Sequence, residues 1–424
     1  MVARQERSRA VAVTGIGIVT SLGRGREENW RRLTAGQSGI RRITRFDTTG
    51  LRTTIGGCVD FLGIEAMSSP RLSLALAREA ATEAVAQAGI GAPGRFPGGL
   101  FLAAPPLEHE WPQRLRLAQR APGDPARRSY DDLFKAAGQD SGDLLTDFSN
   151  GTLADRLADE FGTAGSPVTA NTACASGATA IQLGVEAVRR GAAAALAIGT
   201  DGSLHVEALI RFSLLSALST ANQVPEQAAK PFSKNRDGFV MAEGAAALVL
   251  EDVAAARARG AAIIGYVLGC GEAADNFHRT RSNPTGESIV QSMRNAIADA
   301  GLAPEDIDYI NAHGTSTPEN DKMEALGVRA LFAGHAERLA ISSNKSMIGH
   351  TLTAAGAVEA SFALLTLRDG LLPPTINHDL PDPTIGLDVV PNQARRANAE
   401  FALSNSFGFG GQNVSLVLGA TPGR

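Results

Sequence analysis

A single cysteine stands among small residues in the stretch TANTACASGATA, residues 169–180. Alanine, glycine, serine and threonine flank Cys174, which leaves space beside its thiol for a bulky group. The residues before it read as a strand and those after it as a helix, so Cys174 would lie at a helix N-terminus. The partial positive charge and free N–H groups there favour a thiolate, the nucleophilic form of cysteine. We expect a nucleophile here, with a buried structural cysteine as the alternative.

Three glycine-flanked turns further along the chain carry side chains that could act with this thiol. NAHGTSTPENDKME holds His313 at the end of a strand, and SNKSMIGH holds Lys345 and His350. SNSFGFGGQN is a glycine-rich loop that could bring a backbone N–H close to a reacting carbonyl. Each alone also fits a structural histidine, a solvated lysine or a hairpin turn. Together they supply a nucleophile, two polarising bases and an oxyanion device.

The elements around these motifs alternate between short apolar runs and alanine-rich helical patterns, which predicts an α/β fold with layered sheets. AVAVTGIGIV follows basic residues, as in a signal peptide, but its two glycines and its threonine favour a buried strand. PRLSLALAREAATEAVAQAG predicts a helix closed by Gly89, and FALSNSFGFGGQNVSLVLG predicts a β-hairpin. Two halves of similar pattern meet near residue 260, which suggests an internal duplication.

Composition narrows the function class. The chain has 424 residues with a net charge of −4, which gives no support for nucleic-acid binding. No apolar run approaches the ~20 residues of a membrane span. The three cysteines, Cys58, Cys174 and Cys270, are far apart, so neither a zinc site nor a disulfide framework is indicated. A reducing compartment, and hence a cytoplasmic location, fits best.

The combined motifs resemble the β-ketoacyl-[acyl-carrier-protein] synthases of the thiolase superfamily, the elongating type II enzymes in particular. The resemblance covers nearly the whole chain and includes VAVTGIGIVTSLG, LTAGQSGI, NTACASG and KPFSKNRDGFVMAEGAAALVLE. It implies a thiolase-like five-layered α-β-α-β-α fold built from two duplicated halves. Residues 1–260 would hold the nucleophile and a cap insertion at about 103–150, and residues 261–424 the two histidines and the glycine-rich loop. A homodimer is also expected.

The resemblance further implies the chemistry. Cys174 would take an acyl chain from acyl-carrier protein as a thioester, and the backbone N–H groups of Cys174 and Phe409 would form an oxyanion hole. His313 and His350 would bind the carbonyl of malonyl-carrier protein and assist loss of carbon dioxide. The product would be a 3-oxoacyl-carrier protein in fatty acid or related lipid biosynthesis. The only organic cofactor would be the phosphopantetheine carried by the partner.

The resemblance also implies supporting roles at other matched positions. Lys345 would tune His350, and Glu324 would support the site from behind. Thr315 and Thr317 would bind the phosphopantetheine arm, and Phe409 would gate the acyl pocket opposite Asp275 and His278. Some relatives hold a structural monovalent cation, and Asn311, Glu359 and Asn413 match the positions concerned.

Three related classes fit less well. A thiolase would carry a second cysteine in the C-terminal glycine loop, initiating synthases use Cys-His-Asn, and chain-length factors lack the cysteine that Cys174 supplies. Two alternatives stay open: a ketosynthase of a type II polyketide or polyene pathway, and a non-catalytic scaffolding partner of a lipid assembly complex.

The chain departs from the family mainly within 103–150, where AAPPLEHEWPQRLRLAQR replaces a glycine-rich stretch. We therefore expect this segment to set acyl selectivity.

Overall fold

The computed structural model describes residues 10–64, 68–107, 110–124, 129–139, 146–149 and 151–423. The cap insertion expected at 103–150 therefore lies partly outside the described residues, as do the side chains of Tyr130 and Leu133 within it.

The strands are β1 Val11–Thr20, β2 Gly23–Arg24, β3 Arg41–Arg42, β4 Ile55–Gly56, β5 Gly99–Ala103, β6 Val168–Ala170, β7 Ala194–Asp201, β8 Gly244–Asp252, β9 Gly265–Ala274, β10 Tyr309–Asn311, β11 Ala340–Ser342, β12 Leu371–Leu372, β13 Arg395–Arg396, β14 Phe401–Phe407 and β15 Gln412–Gly419. The helices are α1 Arg26–Thr34, α2 Ser69–Ala88, α3 Trp111–Arg120, α4 Tyr130–Gln139, α5 Thr152–Phe161, α6 Ser176–Arg189, α7 Val206–Leu214, α8 Val253–Ala258, α9 Glu287–Asp299, α10 Pro318–Phe332, α11 Lys345–Ile348 and α12 Ala355–Asp369.

The strands are arranged as two sets of five with the same topology. The main sheet has the order β11-β10-β14-β15-β9-β1-β8-β7-β5-β6. In each set the first strand along the chain is antiparallel to the fifth, and the second, third and fourth are parallel. The sets meet where β1 pairs with β9 over Val11–Val13. This repeated order confirms the predicted thiolase-like fold of two related halves.

Helices α6 and α12 form the central layer between the two sets of strands. Every residue of α12 from Ala355 to Leu367 is buried, so this helix is covered on all sides. Apolar side chains of α6 and α12 share one core with β1 and β8. Helix α2 packs against a second core on one outer face, and α9 and α10 pack against a third on the other.

Two glycines let the central helices touch backbone to backbone. A Cβ atom on Gly177 of α6 would lie 2.5 Å from the backbone nitrogen of Ala357, and one on Gly356 of α12 would lie 2.4 Å from that of Ala178. Real Cβ atoms do not approach backbone so closely, so the contact requires glycine at both positions. The N-termini of both helices are thereby brought together.

Several sequence predictions agree with these elements. The predicted N-terminal strand is β1, the helix closed by Gly89 is α2, and the hairpin is the β14–β15 pair. The sequence reading omitted the helices α1, α7, α8 and α11, and it left α3 and α4 within an unassigned cap. No helix among the described residues combines the length and the apolar composition needed to cross a membrane.

Replacing Gly356 with alanine tests the backbone contact. Helix propensity favours alanine by up to about 1 kcal/mol, yet we expect Gly356→Ala to lower the free energy of unfolding by about 2–3 kcal/mol because Ala178 must move. Gly334→Ala is the matched control, since a Cβ there meets no atom within 4 Å. Urea unfolding of both variants gives the measurement. Equal stability of Gly356→Ala and the unsubstituted protein would show that the helices can part without cost.

Candidate active site

Cys174 is held in a tight turn between β6 and α6. The 3₁₀ turn Ala173–Ala175 begins with a positive φ of 50° at Ala173, a conformation that non-glycine residues rarely adopt. Ser176 fastens the turn, because its Oγ donates to Ala173 O at 2.6 Å and accepts from Thr172 N at 2.7 Å. The thiol is therefore fixed by local hydrogen bonds and partly buried.

The thiol group is neutral at rest, which differs from the thiolate that the sequence led us to expect. Burial raises the pKa of Cys174 to about 11. The backbone N–H of Phe409, which donates to Sγ, and the charge of Lys345 act in the opposite direction but do not outweigh burial. The thiol must therefore lose its proton during the reaction rather than before it.

Two histidines lie beside the thiol, although they come from distant parts of the chain. His313 follows β10, and His350 follows α11. A ring nitrogen of each and the sulfur of Cys174 all lie within 4.8 Å of one another. The imidazole rings are nearly perpendicular, at 84°, with centroids 5.3 Å apart. The structure thus brings together the three side chains that the sequence singled out for the reaction.

Hydrogen bonds define the protonation of both rings. The ammonium of Lys345 donates to Nδ1 of His313 at 3.3 Å, and Leu352 N–H donates to Nδ1 of His350 at 3.3 Å. Burial first, and then the charge of Lys345, lower the pKa of both histidines well below its ordinary range, so the rings are neutral. Each ring therefore carries its proton on Nε2 and can donate a hydrogen bond from it.

Lys345 contacts His313 directly, whereas the resemblance implied that it tunes His350. Its ammonium donates to the backbone oxygen of His313 at 2.6 Å and forms a buried ion pair with Glu359. Its charge nonetheless affects both histidines. Burial raises the pKa of Glu359 to about 7, and Lys345 opposes that rise.

Glu324, on α10, supports the His313 turn from behind. Its two carboxylate oxygens accept the backbone N–H groups of His313 at 2.9 Å and Gly314 at 2.8 Å. Asn405 of β14 donates to the same carboxylate at 3.2 Å. Glu324 thereby sets the direction of the His313 side chain without touching the cavity.

The glycine-rich loop lies against the nucleophile. A Cβ atom on Gly408 would lie 2.8 Å from Thr172 O and 3.3 Å from Cys174 N, so only glycine allows this approach. Phe409 N–H reaches Sγ of Cys174 as a consequence. The glycine-rich loop thus brings the backbone N–H of Phe409 beside the Cys174 side chain.

A cavity of about 550 Å³ opens onto these groups. Its walls include Thr315, Thr317, Asp275 and His278, whose positions the resemblance assigned to the substrate arm and to the loop facing Phe409. Thr315 and Thr317 hydrogen-bond each other through their hydroxyls at 2.9 Å. The sequence reading missed much of the apolar wall, which includes Phe212, Phe239, Leu352 and Phe407. Phe239 packs edge-on against His350, and its place in the motif KPFSKNRDGFVMAEG was the one available signal.

The described residues of segment 103–149 do not line this cavity. Instead, Trp111, Leu115 and Phe134 expose much of their apolar surface. Within one chain, the described residues of this segment therefore do not influence acyl selectivity by contact with the cavity at Cys174.

Two residues fit a monovalent cation. The side-chain oxygen Oδ1 of Asn311 and Oε2 of Glu359 are buried without a hydrogen-bond partner, and Asn311 Nδ2 donates to Glu359 O at 3.3 Å. Such oxygens suit a hard cation. The side-chain nitrogen of Asn413 donates to Gly411 O instead.

The thiol and two imidazoles at Cys174 are ligand types for zinc, but the adjacent ammonium of Lys345 disfavours a dication there.

Comparison with known proteins identifies relatives along the whole chain. Family models described as beta-ketoacyl synthase, N-terminal domain and C-terminal domain, match residues 8–256 and 264–379. The chain is 36% identical to 3-oxoacyl-[acyl-carrier-protein] synthase 2 of Coxiella burnetii, covering 97% of this chain and 98% of that protein. It is 35% identical to a putative polyketide beta-ketoacyl synthase 1 of Streptomyces cyaneus, covering 98% and 99%.

A solved structure shares the fold closely. It contains the ketosynthase of a type II polyketide synthase, bound to a hexaketide and in complex with its acyl-carrier protein. The TM-score is 0.87 at 30% identity, covering 98% of this chain and all of that one.

The pKa of Cys174 predicts its reactivity with iodoacetamide. Because only the thiolate reacts, we expect the alkylation rate at Cys174 to rise about tenfold per pH unit between about pH 7 and pH 10 without a plateau. Peptide mass spectrometry separates Cys174 from Cys58 and Cys270, whose thiol pKa values burial raises to about 12. A plateau below about pH 9, as for an ordinary thiol, would show that Cys174 is instead activated at rest.

Proposed function

The chain belongs to the β-ketoacyl synthase family of condensing enzymes, and we propose from this premise that it elongates acyl chains. The reaction is the decarboxylative condensation of an acyl group on Cys174 with malonyl-[acyl-carrier protein], which gives 3-oxoacyl-[acyl-carrier protein] and carbon dioxide. One observation carries this proposal. A partly buried thiol lies within 4.8 Å of two neutral imidazoles that each present an Nε2–H group.

The first half-reaction loads the enzyme. Sγ of Cys174 forms a bond to the acyl carbon while the thioester bond to the carrier breaks, and the thiol proton passes to the departing carrier sulfur. The carbonyl oxygen becomes negative between the N–H groups of Cys174 and Phe409. Because the acyl group is held on Cys174 as a thioester, the reaction proceeds in two steps that are each easier than a single direct step.

The second half-reaction needs a carbanion, and decarboxylation supplies it without a strong base. The bond between the malonyl α-carbon and the carboxylate breaks, carbon dioxide leaves, and the electron pair forms an enolate. The Nε2–H groups of His313 and His350 stabilise the enolate oxygen as donors already in place. The enolate carbon then attacks the Cys174 thioester. The bond to sulfur breaks, and the released thiolate takes a proton from water.

The remaining site residues support this sequence of steps. Thr315 and Thr317 bind the phosphopantetheine arm at the cavity wall, Phe409 gates the acyl pocket, and Asp275 and His278 act from the facing loop. Burial and the charge of Lys345 keep both imidazoles neutral, Glu324 positions the His313 turn, and Asn311 and Glu359 would hold a structural monovalent cation.

The partner is an acyl-carrier protein, as in the related polyketide synthase complex. The enzyme works in the cytoplasm as a homodimer. Exposed apolar side chains at β6, on α3 and on α4 support a second copy, since Val168, Trp111, Leu115 and Phe134 would otherwise face water. Residues 1–260 and 261–424 form its two halves, with the cap insertion at about 103–150 in the first.

A type II polyketide pathway is the second candidate, because a polyketide ketosynthase matches the fold with a TM-score of 0.87. Saturated and polyketide acyl-carrier substrates of equal length, offered in competition, separate the two. Preferential extension of the saturated chain favours lipid synthesis, and preferential extension of the polyketide favours the alternative.

Two substitutions at the nucleophile test the mechanism. Cys174→Ala should abolish condensation because no acyl-enzyme forms. Cys174→Gln should also fail to condense but should still release carbon dioxide from malonyl-carrier protein, since that step uses the histidine pair. Intact-protein mass spectrometry detects the acyl adduct, and labelled carbon dioxide reports decarboxylation. Condensation by Cys174→Ala at the unsubstituted rate would exclude this mechanism, and a wild-type chain that forms no adduct would favour the scaffolding role.

His313→Ala should separate the two half-reactions. The loss of one donor to the enolate oxygen should slow decarboxylation roughly 100-fold, while acyl transfer to Cys174 should fall much less because the backbone N–H groups still serve that step. The rate of acylation is measured in quenched time-course assays, and the rate of decarboxylation is measured from carbon dioxide release by the same enzyme preparation. If acylation failed while decarboxylation survived, the roles would be reversed.

A further inference from the structure

A buried ion pair outside the cavity lies at the start of β8. Glu243 is fully buried, and both of its carboxylate oxygens bond the guanidinium of Arg45, at 2.8 Å on one side. The same guanidinium donates to Leu204 O at 2.6 Å, and Val59 N–H donates to Glu243 at 2.9 Å. Nothing in the chemistry described so far uses this pair.

The pair anchors a short backbone ladder that leads to His350. Glu243 N–H donates to Gly57 O, and Gly57 N–H donates to Met241 O, both at 2.9 Å. On the other side of the same segment, His350 N–H donates to Val240 O at 2.7 Å, and Ala242 N–H donates to His350 O at 2.9 Å. Residues 240–243 thus lie between the Gly57 loop and the catalytic histidine.

His350 depends on this segment for its position. Both of its backbone polar groups bond residues 240 and 242, and its ring packs against Phe239 with centroids 5.3 Å apart. The segment 240–243 and the residues before His350 are packed too tightly to move independently. A Cβ atom on Gly57 would lie 2.4 Å from Ile348 O, and one on Gly349 would lie 2.8 Å from the Cβ of Ala242. A displacement at residue 243 must therefore reach residues 348–350.

We propose that Arg45 and Glu243 are positioning residues for His350, holding its Nε2–H group on the enolate oxygen through the ladder of residues 57, 240–242 and 350. The inference rests on the proposed function, because the enolate exists only in that reaction. The ion pair fixes residue 243 by two bonds to one rigid guanidinium, which a single hydrogen bond would not do.

Glu243→Gln tests the proposal because it removes the charge and preserves the shape. Displacing a catalytic group by about 1 Å can slow a reaction by two orders of magnitude. We therefore expect decarboxylation of malonyl-carrier protein to fall roughly 10- to 100-fold, with acyl transfer to Cys174 reduced less than about threefold. The ratio of the two rates is the readout, since destabilisation alone lowers both by the same factor.

Glu251→Gln is the matched control. Glu251 lies towards the other end of β8, is buried, and pairs with Arg259, and it contacts no residue of the site. This variant should lose comparable thermal stability but keep the ratio of the wild-type protein. An unchanged ratio in Glu243→Gln would overturn the proposal and leave the pair a purely structural role.

Arg45→Lys keeps the charge but removes the paired bonds, and it takes the place of Glu243→Gln if that variant does not fold. It should shift the ratio in the same direction by a smaller factor, and an unchanged ratio here would again overturn the proposal. Failure of the proposed function looks different, because the wild-type chain itself would then show neither acylation nor decarboxylation.

Discussion

The backbone contact between the two central helices is the constraint on which the site depends. Gly177 and Gly356 allow α6 and α12 to touch where a Cβ atom would fall within 2.5 Å of backbone. A side chain of the candidate site precedes each helix, Cys174 before α6 and His350 before α12. A wider separation of the helices would part a thiol from its imidazoles, and hydrogen-bond catalysis declines over fractions of an ångström.

Burial then decides the kind of chemistry that the assembled groups can perform. It keeps the Cys174 thiol protonated and both histidines neutral, and the buried ion pair of Lys345 with Glu359 lies beside them. Neutral imidazoles are poor general acids but good fixed donors. The site therefore suits a reaction whose difficulty is a developing oxyanion, and a decarboxylation generates such an oxyanion without requiring a strong base.

The sequence was sufficient to predict local features such as helices and turns, but not the contacts between residues that are distant along the chain. Apolar periodicity and a terminal glycine were sufficient for α2, and a glycine-rich turn between two apolar runs for the β14–β15 hairpin. The sequence also predicted which side chains, Cys174, His313 and His350, meet at the candidate site. The bond from Lys345 to His313 rather than to His350 was not predicted, because it depends on how β10 and α11 pack. Arg45 and Glu243 are 198 residues apart, and neither has a local signal of pairing.

The two halves use one repeated turn for different purposes. The 3₁₀ turns Ala173–Ala175 and Leu352–Ala354 precede equivalent helices, and both begin at a positive φ, 50° and 45°. The middle residue is Cys174 in the first turn and Thr353 in the second. The polar groups of Thr353 are already hydrogen-bonded, since its hydroxyl and its backbone N–H both donate to Asp201 at the end of β7. The second turn thus connects the two halves, and a ring nitrogen of His350, which precedes that turn, lies within 4.8 Å of the thiol in the first turn. The two turns are therefore alike in backbone conformation but not in side chains: in the proposed reaction the first turn provides the nucleophile, and the segment before the second provides a hydrogen-bond donor.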